Sequence, residues 1–326
     1  MKYCDFGTTG KKVSQLVFGG GAVGGLLINQ DDETKLKAVQ RAMQAGINWI
    51  DTAPSYGQGR SEEALGWILQ ELDERPYVAT KFSIDLDDLS DIPGQIERSL
   101  EASLERLQSK SVTLLQLHNQ IGEQISERRL PVSNILGTGG VIDGLQRLRE
   151  QGLIEHSGIT ALGETSSILQ VIESGRIDSA QVYYNMLNPS AGMHMPASWP
   201  VYDFSGVLAA CRAHGVAAMN IRVFSAGVIA TDVRTGREGP LTRGDTVESE
   251  AAKAQAIFQQ IGDQFGTRAQ TAIRFALAEA RMSCVIFGLA ELAHLEEALA
   301  AEELGALPTA AIEKIWSIYR EFRYDV

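Results

Sequence analysis

Eight short apolar runs recur along the chain, and each ends in small or polar residues before a segment with helical periodicity. Continuous apolar runs are typical of parallel strands buried on both faces, and their alternation with helices indicates a parallel sheet covered by helices. A count of eight favours a closed (β/α)8 TIM barrel over an open sheet. We therefore predict one α/β domain over residues 1–326, with strands at QLVFGG, INWIDTA, YVATKF, VTLLQLHN, IEHSGIT, AQVYYNM, VAAMNIRVF and CVIFGL.

Seven amphipathic segments lie between these runs, and PTAAIEKIWSIYREF predicts one further helix at the end. Short polar side chains are expected as N-caps, and glycine is expected in the left-handed position after a last helical turn. The predicted N-caps are Asp31, Ser61, Asp143 and Thr165, and the predicted terminal glycines are Gly46, Gly152, Gly175 and Gly215. The first residues, KYCDFGTTGKKVSQL, predict a short hairpin that plugs the N-terminal end of the barrel.

Three long insertions follow the fourth, sixth and seventh predicted strands, at residues 119–140, 186–204 and 227–249. Each leaves the carboxyl end of a strand, the face on which barrels build active sites. We expect these loops, including Trp199, to select the substrate. The segment NQIGEQISERRLPVSN is hydrophilic and favours a polar substrate.

Composition narrows the classes of partner. The net charge of −12 over 326 residues argues against nucleic acid or an anionic membrane as the main partner. Three widely spaced cysteines fit reduced thiols, and no apolar run approaches the roughly 20 residues of a membrane span. Five histidines are scattered without ligand spacing, so we expect no metal site. The expected protein is cytoplasmic, as a monomer or small homo-oligomer.

The stretch GGGAVG at residues 19–24 matches the G-x-G-x-x-G pattern of dinucleotide-binding βαβ units. In those units the third glycine opens the helix that faces the pyrophosphate. Here LLINQ intervenes, and the next helix is predicted to begin only at Asp31-Asp32. The sequence therefore predicts a loop in which Gly20 and Gly21 let a ligand approach the backbone, and not a Rossmann domain.

Four polar residues lie at or beside the ends of successive predicted strands: Asp51, Tyr56, Lys81 and His118. Neighbouring strands are about 4.8 Å apart, so these side chains converge. A desolvated Lys81 paired with Asp51 is expected to lower the Tyr56 pKa from about 10, making Tyr56 a proton donor to a developing alkoxide. His118 offers an N–H to the same oxygen. Each residue alone also fits a structural role; the four together favour catalysis.

The phrases WIDTAPSYGQGRSEEALGWIL, VATKF and LLQLHN resemble the aldo-keto reductase superfamily, and the similarity runs over nearly the whole chain. The resemblance implies a (β/α)8 barrel whose catalytic tetrad is Asp51, Tyr56, Lys81 and His118. It also implies a small carbonyl substrate and an extended NAD(P)H bound without a Rossmann domain. The glycine-bearing first loop is similar to the branch that contains sugar and aldose dehydrogenases.

The resemblance also assigns residues to the nicotinamide part of the cofactor site. Gln181 matches the family's glutamine that bonds the carboxamide. Thr160 keeps a hydroxyl contact, whereas Ala161 lacks the amide that is usual beside it. Arg222 stands where an aromatic ring usually stacks on nicotinamide, with Phe224 two residues further on. An arginine can stack through its planar guanidinium.

The resemblance leaves the choice between NADP and NAD open. Gly288 and His294 lie in the loop after the eighth strand, but Ala290 stands where an arginine often meets the 2′-phosphate. Glu291 beside it can accept a hydrogen bond from a free ribose hydroxyl, which favours NAD(H). Against this, a basic loop can fold over the cofactor or lie in solvent, and its arginines are Arg234, Arg237 and Arg243.

Two other functions fit the same residues. Potassium-channel β subunits resemble this family, so a cofactor-binding regulatory or sensor protein with weak turnover is one alternative. A barrel lyase or isomerase that uses Lys81 as a Schiff-base nucleophile is the other.

Overall fold

A computed structural model describes residues 1–126, 128–196, 199, 202–234, 236–240 and 246–320. The strands are β1 Tyr3–Asp5, β2 Lys12–Ser14, β3 Leu16–Gly19, β4 Trp49–Asp51, β5 Tyr77–Phe82, β6 Val112–Leu117, β7 Gln120–Gly122, β8 Arg129–Pro131, β9 Ile154–Ala161, β10 Ser179–Tyr183, β11 Ala217–Ile221 and β12 Cys284–Gly288. The helices are α1 Leu26–Asn29, α2 Asp32–Gln44, α3 Arg60–Ile68, α4 Ile92–Arg106, α5 Val132–Leu136, α6 Val141–Glu150, α7 Thr165–Glu173, α8 Val207–Ala213, α9 Val247–Ile261, α10 Arg268–Leu277, α11 Leu292–Leu304 and α12 Thr309–Arg320.

Eight parallel strands form a closed barrel in the order β3, β4, β5, β6, β9, β10, β11, β12. The last strand pairs with the first, with Val285 opposite Leu16 and Gly288 opposite Gly19. All eight predicted apolar runs are barrel strands. Each run is apolar along its length because helices cover its outer side and the barrel core covers its inner side. The predicted (β/α)8 fold is confirmed.

The predicted helix ends are partly right. Asp31 caps α2 by accepting a hydrogen bond from the Thr34 N–H at 2.9 Å, and the four predicted terminal glycines all have φ between 66° and 90°. The other three N-caps are wrong. Ser61 lies inside α3, where it bonds Thr52 and the carbonyl of Gly20. The cap positions of α3, α6 and α7 are held by Gly59, Gly140 and Glu164.

The N-terminal end of the barrel is closed by the hairpin of β1 and β2, as predicted. Phe6, in the turn of this hairpin, is fully buried. Its ring centroid lies 4.5 Å from that of Trp49, and it joins a cluster that includes Leu114 and Met219 of the barrel interior. The end of the barrel opposite the strand carboxyl termini is therefore packed with side chains.

Across the described ranges, no helix has both the length and the apolar content needed to cross a membrane. The same part of the chain holds no group of three or more His, Cys, Asp or Glu side chains placed to bind a metal ion.

Candidate active site

A buried ion pair lies at the carboxyl ends of two adjacent strands. Lys81 on β5 places its Nζ 2.6 Å from Oδ1 of Asp51, which ends β4, and 2.8 Å from the carbonyl oxygen of Thr52. Gln181 on β10 donates from Nε2 to the other carboxylate oxygen of Asp51 at 2.6 Å. Both carboxylate oxygens of Asp51 therefore accept hydrogen bonds from side chains of the barrel strands. The Lys81 ammonium group is fixed between Asp51 and the Thr52 carbonyl.

Burial acts against both charges of this pair. It raises the pKa of Asp51, and the opposing effects of Lys81 and Gln181 are smaller. Burial on its own would lower the pKa of Lys81, but the charge of Asp51 and the hydrogen bonds of the ammonium group more than offset it, so the pKa of Lys81 is raised. Lys81 therefore keeps its proton at neutral pH.

Tyr56 enters the site from the loop between β4 and α3. The three residues after it, Gly57, Gln58 and Gly59, all have positive φ, at 65°, 58° and 92°. This left-handed run, which glycine permits at two of the three positions, turns the chain into α3 directly after Tyr56. The tyrosine ring then lies beside Lys81, whose Nζ is 4.8 Å from the ring centroid.

The predicted lowering of the Tyr56 pKa is wrong. Burial raises the pKa of Tyr56 above its ordinary value of 10.0, and the opposing effect of Lys81 is smaller; the charge of Asp51 raises it further. The depth of burial, which the sequence does not give, decides the sign. The phenol therefore holds its proton throughout the neutral range.

His118 follows β6 and stands edge-on to Tyr56, with ring centroids 6.1 Å apart and planes at 84°. Burial, with a smaller contribution from the charge of Lys81, lowers the pKa of His118 to about 3. The imidazole is therefore neutral above about pH 4, and one of its two nitrogens carries a hydrogen. The structure thus brings together all four residues singled out from the strand ends.

Two residues at the start of α3, which the sequence reasoning did not assign, support this group from behind. The Ser61 hydroxyl lies 2.9 Å from Oγ1 of Thr52, the residue whose carbonyl accepts from Lys81. Glu62, fully buried, accepts from Thr80 beside Lys81 and from Nε of Arg106 at 2.7 Å. The sequence could have indicated this supporting role, because both residues lie in the segment GRSEE directly after the Tyr56 loop.

A cavity of about 450 Å³ runs from this group to the groove between α10 and α11. Asp51, Tyr56 and His118 line the part at the strand ends, whereas Ile273 of α10 and Glu297 of α11 line the outer part. Seven of the nine residues assigned to the cofactor line it, namely Gly21, Thr160, Gln181, Arg222, Phe224, Gly288 and His294.

The other two assigned residues lie elsewhere. Gly20 is buried under the site, where its N–H donates to the Asp51 carbonyl at 2.8 Å and a Cβ would lie 2.6 Å from Oγ of Ser61. Its glycine identity is thus explained by packing. Glu291 is exposed at the N-cap position of α11, and the acidic residue of that helix that lines the cavity is Glu297.

Several features of the cavity fit an extended dinucleotide. The hydroxyl of Thr160 is buried and has no hydrogen-bond partner among the described residues. A Cβ added to Gly21 or Gly288 would have no atom within 4 Å, so the backbone is open to a ligand at both. Arg237 brings its Nη1 within 3.0 Å of the Cβ position of Gly25 in the first loop. The residues present therefore offer backbone access, an unpaired hydroxyl and a cation.

Of the three basic-loop candidates, Arg237 lines the cavity, Arg234 bonds the carbonyl of Thr231 within its own loop, and Arg243 lies outside the described residues. The turn that precedes this loop is strained. Arg222, Ser225 and Ala226 have φ of 58°, 43° and 56°, a conformation that costs an L-residue roughly 1–2 kcal/mol.

The three insertions differ in what they contribute to the cavity, and their role in substrate selection stays a prediction. Among described residues, those of the first and second insertions do not line the cavity, whereas Val233 and Glu238 of the third do. Trp199 instead packs edge-on against Tyr319 of α12 at 5.4 Å, and the Tyr319 hydroxyl donates to the carbonyl of Met186. Trp199 and Met186 of the second insertion thus contact α12.

The fold and the site together define a (β/α)8 protein whose charged and polar groups gather where barrel enzymes carry out their chemistry. A profile of the aldo/keto reductase family matches residues 15–320. The chain belongs to the aldo/keto reductase family and is an oxidoreductase of that family.

Similar proteins match all or part of the chain. L-galactose dehydrogenase of Arabidopsis thaliana is 26% identical over 304 residues, which cover 90% of this chain and 86% of that protein. The aldo-keto reductase YhdN of Bacillus subtilis is 35% identical over 125 residues, covering 36% of this chain and 38% of that protein. The holo form of the aldo-keto reductase AKR11C1 from Bacillus halodurans has the same fold, with a TM-score of 0.75 at 20% identity over 100% of this chain and 98% of that one.

Proposed function

We propose that the protein interconverts an aldehyde or ketone and its alcohol, with NAD(P)(H) as the hydride carrier and Tyr56 as the general acid and base. The observation that carries this proposal is the position of Lys81, whose Nζ lies 4.8 Å from the Tyr56 ring centroid while Asp51 fixes it at 2.6 Å. A fixed cation beside a protonated phenol at the wall of a long cavity suits proton transfer to a carbonyl oxygen.

Each residue has a distinct part in the reduction. When bound, a reduced nicotinamide would supply the hydride for this reduction. Tyr56, protonated at neutral pH because burial raises its pKa, gives its proton to the carbonyl oxygen as negative charge develops there. The Lys81 ammonium then stabilises the tyrosinate, and Asp51 holds that ammonium in place. Neutral His118 donates an N–H that orients the carbonyl. A positioned acid of this kind contributes typically about 10²–10⁴ in rate.

The cavity supplies groups for both ends of the cofactor. Thr160, Gln181, Arg222 and Phe224 line the part near Tyr56 and are proposed to hold the nicotinamide. Gln181 also donates to Asp51, so it would link the cofactor to the ion pair. Arg237, close to the glycine loop, is proposed to meet the pyrophosphate, since a guanidinium pairs well with phosphate oxygens.

We propose NAD(H) as the preferred cofactor. Glu297 lines the outer part of the cavity, and no lysine lies among the described residues that line it. The two arginines among those residues, Arg222 and Arg237, are already proposed to meet the nicotinamide and the pyrophosphate. A dianionic 2′-phosphate is poorly accommodated beside a carboxylate, whereas a free ribose hydroxyl can donate to one. This role passes from Glu291, which the sequence suggested, to Glu297. An affinity for NADPH more than about tenfold above that for NADH would refute the preference.

The proposed substrate is a polar carbonyl compound such as an aldose. The similarity to L-galactose dehydrogenase over 90% of this chain supports this class. Arg222, in the wall near Tyr56, also supports it, since a guanidinium donates hydrogen bonds to hydroxyl oxygens.

The test is consumption of NADH and of NADPH with a panel of aldoses and simple aldehydes, followed by reduced-nicotinamide absorbance. Wild type should turn over, and Tyr56→Phe should lose at least about 10²-fold in kcat while still binding cofactor. Tyr3→Phe removes a hydroxyl from the hairpin at the far end of the barrel and is the matched control. Turnover by Tyr56→Phe near the wild-type rate would refute Tyr56 as the acid. Cofactor binding without turnover by wild type would favour a sensor protein.

A further inference from the structure

The turn that follows β11 carries three non-glycine residues in the left-handed region, Arg222, Ser225 and Ala226. Five non-glycine residues have positive φ among all the described residues. Three of the five lie in this turn, within positions 222–226. Such backbone persists only where the surrounding structure holds it. The turn also lines the cavity through Arg222, Phe224 and Ala226.

Ser225 faces away from the cavity between two residues that line it. It is fully buried, and its Oγ donates to Oε2 of Glu250 at 2.8 Å. Glu250 lies in the first turn of α9 and is 2% exposed. A carboxyl group placed this deeply must be matched by hydrogen bonds, and this one reaches the middle of the strained turn.

Two other side chains hold the ends of the same segment. Asn185 donates from Nδ2 to the carbonyl of Arg222 at 2.8 Å. Arg268 at the start of α10 donates to the carbonyls of Val228 and Ile229 at 3.0 and 2.8 Å. The contact from Glu250 lies between these anchors, at the point where the left-handed residues are consecutive.

We propose that Glu250 is a positioning residue for the cofactor: through Ser225 it keeps the turn in the left-handed conformation that presents Arg222, Phe224 and Ala226 to the cavity. Glu250 touches neither the reacting atoms nor the cavity, and it acts from a helix outside the barrel. The proposal rests on the proposed function, because it requires that the cavity bind a nicotinamide cofactor.

The experiment measures the dissociation constants of NADH and NADPH by fluorescence titration, together with kcat and KM, on the full chain. Glu250→Gln and Ser225→Ala should each raise the dissociation constant and the KM for cofactor about tenfold, the effect of losing one hydrogen bond to a charged group. kcat at saturating cofactor should stay within about twofold. The double variant should bind cofactor no more weakly than the single variant with the lower affinity, because both substitutions remove the same Ser225–Glu250 hydrogen bond. Glu248→Gln, an exposed acid in the same helical turn, should match wild type.

A second variant separates positioning from general stability. Ala226→Gly lowers the cost of the left-handed conformation, so Glu250→Gln combined with Ala226→Gly should regain much of the lost affinity. If Glu250→Gln does not fold, Ser225→Ala with and without Ala226→Gly serves in its place. Unchanged cofactor affinity in folded Glu250→Gln or Ser225→Ala would overturn this proposal alone, as would failure of the glycine rescue. A wild-type protein that binds neither cofactor would overturn the proposed function as well.

Discussion

Replacing Asp51 by asparagine removes the charge that neutralises Lys81 and leaves the ammonium buried. The side chains of the pair are 4% and 0% exposed, and their atoms are 2.6 Å apart. Breaking a buried pair in this way costs about 3–5 kcal/mol of unfolding free energy. For a chain of 326 residues the unfolding entropy is about 0.7 kcal/mol/K, so the melting temperature should fall by about 4–7 °C.

Two comparisons isolate the effect of burial. Lys12 and Asp5 form an ion pair at the same 2.6 Å distance, with side chains 61% and 72% exposed. Asp5→Asn should therefore cost less than about 1 kcal/mol. Replacing Lys81 by methionine in the Asp51→Asn background removes the stranded charge and should recover about 2 kcal/mol of the loss.

The assay is equilibrium unfolding in urea at pH 7, followed by far-ultraviolet circular dichroism, with a thermal melt of each variant. Equal losses in Asp51→Asn and Asp5→Asn would refute the reasoning, because distance alone would then set the energy. No recovery in the Asp51→Asn/Lys81→Met variant would show that the loss comes from the missing carboxylate and not from the unpaired ammonium.

Two further predictions separate folding from binding and test the neutral histidine. Gly24→Ala should lower the urea midpoint, because its Cβ would lie 2.5 Å from the Leu289 carbonyl oxygen. Gly21→Ala should keep the midpoint and weaken cofactor binding, because its Cβ would have no atom within 4 Å. A lowered midpoint in Gly21→Ala with an unchanged midpoint in Gly24→Ala would contradict the packing role of Gly24 and the ligand-access role of Gly21. Because the pKa of His118 is about 3, the unfolded chain binds a proton between that pH and about 6.5 that the folded chain does not, so stability falls as the pH is lowered through this range. His118→Asn, titrated in urea and normalised to pH 8, should reduce the fall between pH 6.5 and 5 by up to about 2 kcal/mol; parallel curves would refute the buried neutral imidazole.

The strands could be predicted from the sequence because β5 and β6 are continuous apolar runs that end in a polar side chain, as a strand closing at a barrel mouth requires. Four helices were missed: the single-turn helix α1, in the LLINQ stretch that was predicted to be loop, the short α5 in the first insertion, and the two long helices α9 and α11. α9 begins within the insertion at 227–249, and α11, with the sequence LAHLEEALAAEEL, has alanines around much of its circumference, so no single apolar stripe marks it. In both, packing against neighbouring helices decides the structure.

The site shows the same division. Asp51, Tyr56, Lys81 and His118 could be placed together because strand order fixes which carboxyl ends are neighbours. The direction of the Tyr56 pKa shift could not be predicted from the sequence, because it depends on how deeply the ring is buried. The packing of Trp199 could not be predicted either, because its partner, Tyr319, is 120 residues away in the chain, and nothing local indicates that contact.

Closure of the barrel by β3 and β12 has a consequence for synthesis on the ribosome. The two strands are separated by residues 20–283, and translation at about 5–20 residues per second takes about 15–50 s to cover that distance. During this time the backbone N–H and C=O groups on one edge of β3, whose residues are fully buried in the finished protein, have no strand to pair with. An open apolar edge is a template for pairing with another nascent chain. The protection that a closed sheet gives against aggregation thus arrives only when β12 has been made, more than 260 residues after β3.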